Sequence, residues 1–311
     1  MNNNYSSKIA DARGEYQPPS NYLPRWITPS LEKSLADAPV LVLTGARQVG
    51  KSTLLLNEEL FHDYRYLSMD DFDVLRQAVE QPEVLWAGTE RVILDEVQKA
   101  PGLLPAVKQA ADRAGGKLKF VLSGSANLLL MKQVSESLAG RAMYHVLDPL
   151  ALGEIHRVPP PDLIERVLAG DWPEGGTLPE PPPDVLPVLQ RGLMPALLRL
   201  DDQASWVRWW DAYVTTYLER DLRQLAQVDA LVDFRRLMEL LALRTGGLLN
   251  QSDLGRDAGL SQPTIHRYLN LLETTHLFER LPPYTASRTA RLLKSPKAFW
   301  NDTGLAVFLA G

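Results

Sequence analysis

Residues 45–53 read Gly-Ala-Arg-Gln-Val-Gly-Lys-Ser-Thr and fit the pattern G-x-x-x-x-G-K-[ST]. Ahead of them Val40–Thr44 is short and apolar, as a buried strand is, and Thr53–Leu56 opens a helical run behind them. Strand, glycine-bearing loop and helix start, in that order, predict a phosphate-binding loop. Gly45 and Gly50 let the backbone turn its N–H groups inward around a phosphate, with Ala46, Gln48 and Val49 between them, and the following helix adds the positive end of its dipole. Lys51 is expected to reach the β- and γ-phosphates and the Ser52 hydroxyl to ligate Mg2+, with Thr53 completing the motif. Arg47 sets a second positive charge inside the loop.

A second segment fits the same chemistry. Residues 91–98 read Arg-Val-Ile-Leu-Asp-Glu-Val-Gln, an apolar strand ending in two acids. Asp95 is placed to hold Mg2+ through a water, and Glu96 to polarise an attacking water as general base. An apolar strand before Asp-Glu is common by chance, but its coupling to the loop upstream makes it specific. Two adjacent acids point to hydrolysis more than to phosphate transfer onto a bound acceptor. The strand Lys119–Leu122 ends in Ser123-Gly124-Ser125-Ala126-Asn127. In a P-loop sheet this strand lies between the loop strand and the acid-bearing strand, so Ser123, Ser125 or Asn127 faces the γ-phosphate as a sensor. The alternative is a polar turn in which Asn127 caps the next helix.

Arg141 follows that helix in Ser-Leu-Ala-Gly-Arg. Its guanidinium either stabilises charge on a transferring phosphoryl group, from its own chain or from a neighbouring subunit in a homo-oligomer, or forms an ion pair at a helix end. Asp70-Asp71 read as a turn or helix cap. The histidines at 62, 145, 156, 266 and 276 have no metal-ligand spacing and read as structural or exposed.

The chain of 311 residues has room for about two domains. Strand signals (40–44, 64–68, 91–95, 118–123, 143–147) alternate with helical stretches near 52–60, 72–81, 103–114 and 128–139, which predicts an α/β fold: a parallel sheet with helices on both faces. Residues 157–187 hold nine prolines and read as a linker or irregular lobe. A helical region follows from Trp206, with Trp206, Trp210, Tyr213 and Tyr217 at helical spacing, and a second helix covers 231–244. The expected division is a lead-in at 1–21, a P-loop domain at 22–156, the proline segment at 157–200, helices at 201–245, a winged helix at 246–290, and at 291–311 a C-terminal segment or truncated further domain.

Cysteine is absent, which excludes disulfides and thiolate zinc sites and fits a cytoplasmic setting. No run of 18 apolar residues predicts a membrane helix. The net charge of −5 argues against a polyanion binder built over the whole surface.

Residues 252–284 carry a different pattern. A short helix at 252–258, Gly259-Leu260-Ser261, and a longer helix at 262–274 with Pro263 in its first turn predict a helix-turn-helix. Leu277–Leu281 and Pro282-Pro283-Tyr284 read as the strand and wing of a winged helix. Residues 261–270 would meet duplex DNA through Gln262, Thr264, His266, Arg267 and Asn270. Residues 245–311 hold seven Lys/Arg against five Asp/Glu. That tilt is modest for phosphate binding, and a module that packs on a protein partner is the competing reading.

Together these segments resemble a bacterial and archaeal group of AAA-type P-loop ATPases with a C-terminal domain of unknown function that contains a winged helix. The resemblance rests on the loop, Ile-Leu-Asp-Glu-Val-Gln, Ser-Gly-Ser-Ala-Asn, Ser-Leu-Ala-Gly-Arg, Tyr217-Leu-Glu-Arg-Asp221 and Lys294-Ser-Pro-Lys-Ala-Phe-Trp-Asn-Asp-Thr-Gly304. It runs from about Tyr22 onward. It implies that the nucleotide is ATP with Mg2+ and that Lys51, Ser52, Asp95 and Glu96 take the ATPase roles. Such proteins usually continue past Asp-Thr-Gly-Leu into a nuclease-like domain, so the resemblance assigns no nuclease activity to residues up to Gly311.

Overall fold

The computed structural model describes residues 21–124, 138–160, 162–171, 184–218, 231–285, 287, 289 and 294–311. After helix α1 (Thr28–Asp37) the chain alternates β1 (Val40–Thr44), α2 (Lys51–Asn57), β2 (Arg65–Ser68), α3 (Phe72–Glu80), β3 (Arg91–Asp95), α4 (Leu103–Arg113), β4 (Lys119–Ser123) and β5 (Ala142–Val146). The strands form one parallel sheet in the order β2-β3-β4-β1-β5. This is the P-loop ATPase fold, and β4 does lie between the loop strand and the acid-bearing strand. Strand bounds agree with the sequence reading to within one residue. The stretch 128–139 and the candidate residues Ser125 and Asn127 lie outside the described residues, apart from the end of that stretch.

Burial explains the strand sequences. Every residue of β1 is buried, whereas the edge strands β2 and β5 are half-exposed. Alternate residues serve opposite faces, as a period of two requires. Val40, Val42, Val92, Leu94, Phe120 and Leu122 join the core under α4, whose Leu103, Leu104 and Val107 pack there. Leu41, Leu43, Ile93 and Val121 face the other way, onto Leu31, Leu35, Leu54 and Leu55.

That second face is shared with the C-terminal half. The chain continues through α5 (Leu152–Ile155), α6 (Leu163–Leu168), α7 (Leu186–Arg191), a single turn at Pro195–Arg199, α8 (Gln203–Tyr213) and a π-turn at Val214–Leu218. Then come α9 (Leu231–Ala242), α10 (Gln251–Ala258), α11 (Gln262–Thr274), β6 (Phe278–Leu281), β7 (Lys297–Trp300) and α12 (Thr303–Ala310). Trp210, Phe234, Leu237, Leu241, Ile265 and Leu269 belong to the same core as Leu41 and Leu43. The sheet and the helical C-terminal region are thus packed on one another.

Caps set the C-terminal helix bounds. Asn250 accepts from Ser252 N and Asp253 N, α10 ends at Gly259 in the left-handed conformation, and Ser261 caps α11. Gly246 N donates to Ala298 O across 2.7 Å and Ala298 N to Gly247 O across 3.0 Å, so the chain before α10 pairs with β7, itself antiparallel to β6. Two readings change. The proline segment contains two helices among its described residues: α6 fits between Pro161 and Pro173, and α7 carries Pro187 in its first turn, where proline is tolerated. The helical run from Trp206 passes into a π-turn at Val214, and its continuation past Leu218 lies outside the described residues, as do Glu219-Arg220-Asp221.

Candidate functional site

The loop between β1 and α2 bends as its glycines allow. Gly45 has φ 147° and Gly50 φ 99°, and a Cβ on Gly45 would stand 2.3 Å from the carbonyl oxygen of Leu147. Gln48 is also left-handed, at φ 63°. Lys51 is buried, and its ammonium donates to Gly45 O at 3.0 Å and Ala46 O at 2.8 Å. Burial pushes Lys51 down to about 8, against the pull of Glu96 and Asp95. The lysine therefore sits folded over the loop with two carboxylates close enough to act on it.

Parallel strands bring their C-terminal ends to one edge, so β3 delivers its two acids beside the loop. Ser52 Oγ donates to Asp95 Oδ2 at 2.6 Å, and the Tyr66 hydroxyl from β2 donates to the same oxygen at 2.6 Å. Burial first, and then Asp95, drive the Tyr66 phenol upward. Glu96 takes a left-handed backbone (φ 55°) and is held by the Gln98 side chain. Its carboxyl is raised, chiefly by burial and with Asp95 adding to it, while Gln98 and Lys51 oppose. Non-glycine residues seldom adopt this conformation, and it recurs at functional sites. A hydroxyl and a carboxylate in contact are hard oxygen donors of the kind Mg2+ takes beside substrate phosphates. Among the described residues no cluster of three or more His, Asp or Glu forms a metal cage, and a nucleotide-bound Mg2+ needs none.

The loop opens onto a cavity of about 860 Å³. Arg47, Gly50, Lys51, Ser52, Thr53 and Glu96 line it. Sequence reasoning missed the other walls: Tyr22 and Arg25 from the segment before α1, Arg157 after α5, and Arg199 and Trp209 from the C-terminal half. Arg25 is buried and donates to Val49 O at 3.0 Å and to Glu154 at 3.1 Å. The Tyr213 hydroxyl donates to Arg47 O at 3.3 Å. These contacts span up to 166 positions, and no local pattern encodes them.

Of two further sequence candidates, Ser123 ends β4 opposite Leu43 of the loop strand, and Arg141 stands apart. Ser123 is fully buried, and its hydroxyl has no hydrogen-bond partner among the described residues. Arg141 is not at the loop of its own chain. It precedes β5, and its carbonyl accepts from Val40 N, at the start of β1, whereas the loop follows the end of β1. A strand of five residues separates the two by roughly 17 Å. Its guanidinium pairs with Asp112 of α4, which is the ion-pair alternative. The following strand signal at 143–147 already implied this, because a residue entering a parallel strand lies opposite the edge where strands end. Asp71 caps α3, and Asp70 pairs with Lys99.

In the C-terminal half, Gln262, His266 and Arg267 of α11 are exposed, Thr264 and Asn270 half-buried, and Ile265, Tyr268, Leu269 and Leu272 buried. His266 and Asn270 bond to each other at 3.0 Å, and Arg280 binds Asn270 at 2.8 Å and Glu273. His276 is neither exposed nor remote from the loop: its Nε2 lies 3.4 Å from Thr44 Oγ1. Among the described residues no helix is long and apolar enough to cross a membrane.

Residues 37–156 match the family model described as an AAA domain, and residues 184–311 match a domain of unknown function. Two uncharacterized proteins, from Mycobacterium tuberculosis and Mycobacterium bovis, are each 31% identical over 283 residues, taking in 90% of this chain and 58% of theirs. The chain thus spans less than two thirds of the length of these relatives. The solved Walker-type ATPase of Pyrococcus abyssi aligns over 91% of this chain and 94% of its own, with a TM-score of 0.57 and 17% identity, a likeness of fold.

Proposed function

We propose that this chain binds Mg-ATP in the cavity at the phosphate loop and hydrolyses it to ADP and phosphate. The observation that carries the reading is the meeting of Ser52 and Asp95 at 2.6 Å, beside a buried lysine that feels both acids. Residues 45–53 cradle the phosphates with backbone N–H groups. Lys51 leaves its two carbonyl partners for phosphate oxygens. Ser52 and Asp95 would hold Mg2+, which offsets charge on the β- and γ-phosphate oxygens. Glu96 takes a proton from the attacking water, and a carboxyl raised toward neutral pH is better matched to that task. Tyr66 fixes Asp95. Trp209 and Tyr22 line the same cavity and bound the space a base would take.

We read residues 22–156 as the ATPase unit and 246–290 as a winged helix. The exposed Gln262, His266 and Arg267 favour contact with duplex DNA through residues 261–270; a protein partner is the competing occupant. Arg141 can serve catalysis only from a neighbouring subunit, which requires a homo-oligomer. The alternative overall reading is a nucleotide-gated DNA-binding regulator with little turnover.

Calorimetry with Mg-ATP and steady-state phosphate release, with and without duplex DNA, test these together. The reading expects uptake by the native chain and loss of it in Lys51→Ala. DNA-stimulated turnover supports the hydrolytic reading; nucleotide-dependent DNA affinity without turnover supports the regulator. No uptake by folded native protein removes both.

A further inference from the structure

α11 ends in an unusual way. Leu277 N donates to Leu272 O at 3.2 Å and His276 N to Glu273 O at 2.9 Å, the paired bonds of a Schellman stop. The residue at the left-handed position of such a stop is normally glycine, which carries no Cβ penalty. α10 obeys this with Gly259 at φ 70°. α11 instead uses His276, at φ 55°. A strained residue retained where glycine is cheaper calls for a reason in its side chain.

The side chain supplies one. The imidazole reaches out of the helix-turn-helix to the end of β1, where its Nε2 is 3.4 Å from Thr44 Oγ1, one residue before the phosphate loop. Burial, and secondarily the Lys51 charge, push it down to about 4, so at pH 7 it is neutral, with one N–H donor and one acceptor nitrogen. Its backbone is fixed from behind: Asn301 Nδ2 donates to His276 O at 3.0 Å. The next residue, Asp302, is buried and accepts from Leu193 N at 2.8 Å. Leu193 leads into the Pro195–Arg199 turn, and Pro195 and Gly50 line the same cavity at the other end of the loop. The C-terminal half therefore meets one end of the loop through His276 and lines the cavity at the other, and both segments are anchored at residues 301–302.

We propose that His276 is a positioning residue through which the helix-turn-helix region registers whether the phosphate loop is occupied. The inference rests on the reading of the loop as a nucleotide site. In the structure Lys51 is tied to two loop carbonyls. A bound phosphate draws the ammonium away and adds negative charge beside the imidazole. In the proposal His276 answers by changing its partner at Thr44 or shifting with α11 and β6. Coupling of this kind is reciprocal, so removing the imidazole alters what nucleotide does to the C-terminal half.

Hydrogen exchange of amides 262–281, with and without Mg-ATP, tests this in the full chain. Nucleotide is expected to change exchange there in the native protein. His276→Gly relieves the left-handed strain while deleting the contact; it should still bind Mg-ATP, yet lose the nucleotide-dependent change by about fivefold or more. His276→Gln, whose amide nitrogen can replace Nε2, should restore part of it, which a mere helix stop would not do. Thr44→Val repeats the loss from the other side with the turn intact. A change that persists in both His276→Gly and Thr44→Val overturns the proposal, as does a native chain that binds Mg-ATP with no effect at 262–281. A native chain that binds no nucleotide overturns the site reading first, and the coupling with it.

Discussion

Arg25 lies beneath the phosphate loop with its Nη1 3.0 Å from the carbonyl oxygen of Val49. The same guanidinium pairs with Glu154, both side chains being 6% exposed. Glu154 in turn accepts from Trp26 N at 2.6 Å and Ala151 N at 2.8 Å. One buried ion pair thus ties the segment before α1, the loop and α5 together. Removing one partner leaves a charge in the interior, which costs about 3–5 kcal/mol. Glu154→Ala is expected to lose stability of that order in urea denaturation. A loss below about 1 kcal/mol would show that the pair is not what holds the loop from below.

Glu96→Gln keeps the shape of the site and its neighbour Gln98 but deletes the proposed base. Mg-ATP binding by calorimetry should survive, while phosphate release falls by about 10²–10⁴-fold. Turnover at the native rate would remove Glu96 from the mechanism.

Gly45→Ala places a methyl group 2.3 Å from Leu147 O at φ 147°. No flexible side chain can yield there, because the obstacle is backbone. The strain is on the order of 1–3 kcal/mol. Melting temperature and nucleotide affinity should fall together; a variant with the native affinity would contradict the close approach of the loop to the chain after β5.

The pH dependence of stability carries a signature of His276. Its folded value of about 4 lies below the ordinary 6.5. Between those values the unfolded chain takes a proton that the native chain refuses, so this contribution is whole above about pH 6.5 and is lost as pH falls toward 4. The gap in stability between the native chain and His276→Gln, measured by urea denaturation at pH 7.5, 6 and 5, should narrow with acid. Parallel curves would mean the imidazole is not buried as described.

Much of the P-loop half is legible in the sequence because its signals are local. The apolar runs 40–44, 91–95 and 119–123 can only be strands buried on both faces, and Gly45, Gly50, Lys51 and Ser52 spell a loop whose chemistry is written in nine residues. The caps Asn250, Gly259 and Ser261 likewise state where α10 and α11 begin and end. Arg141 shows where local signals leave alternatives open: its motif fits a phosphate contact or an ion pair, and the polarity of β5 sets it at the opposite edge of the sheet from its own loop, beside Asp112. Arg25 and Trp209, which line the cavity, and Tyr66 and Tyr213, which reach Asp95 and the Arg47 carbonyl, carry no phosphate-site motif, and only tertiary packing brings them there.

The sequence by itself determined the loop, the strands that flank it and the acids at the end of β3, because backbone conformation and alternation are settled within a few residues. Only the tertiary structure decided that the C-terminal helices close one face of the sheet, that Arg25 supports Val49, and that a histidine at the end of α11 rests on Thr44. Those contacts join segments up to 232 positions apart. They exist because burying Leu41, Leu43, Phe234 and Ile265 in one core fixes everything else that rides on those elements.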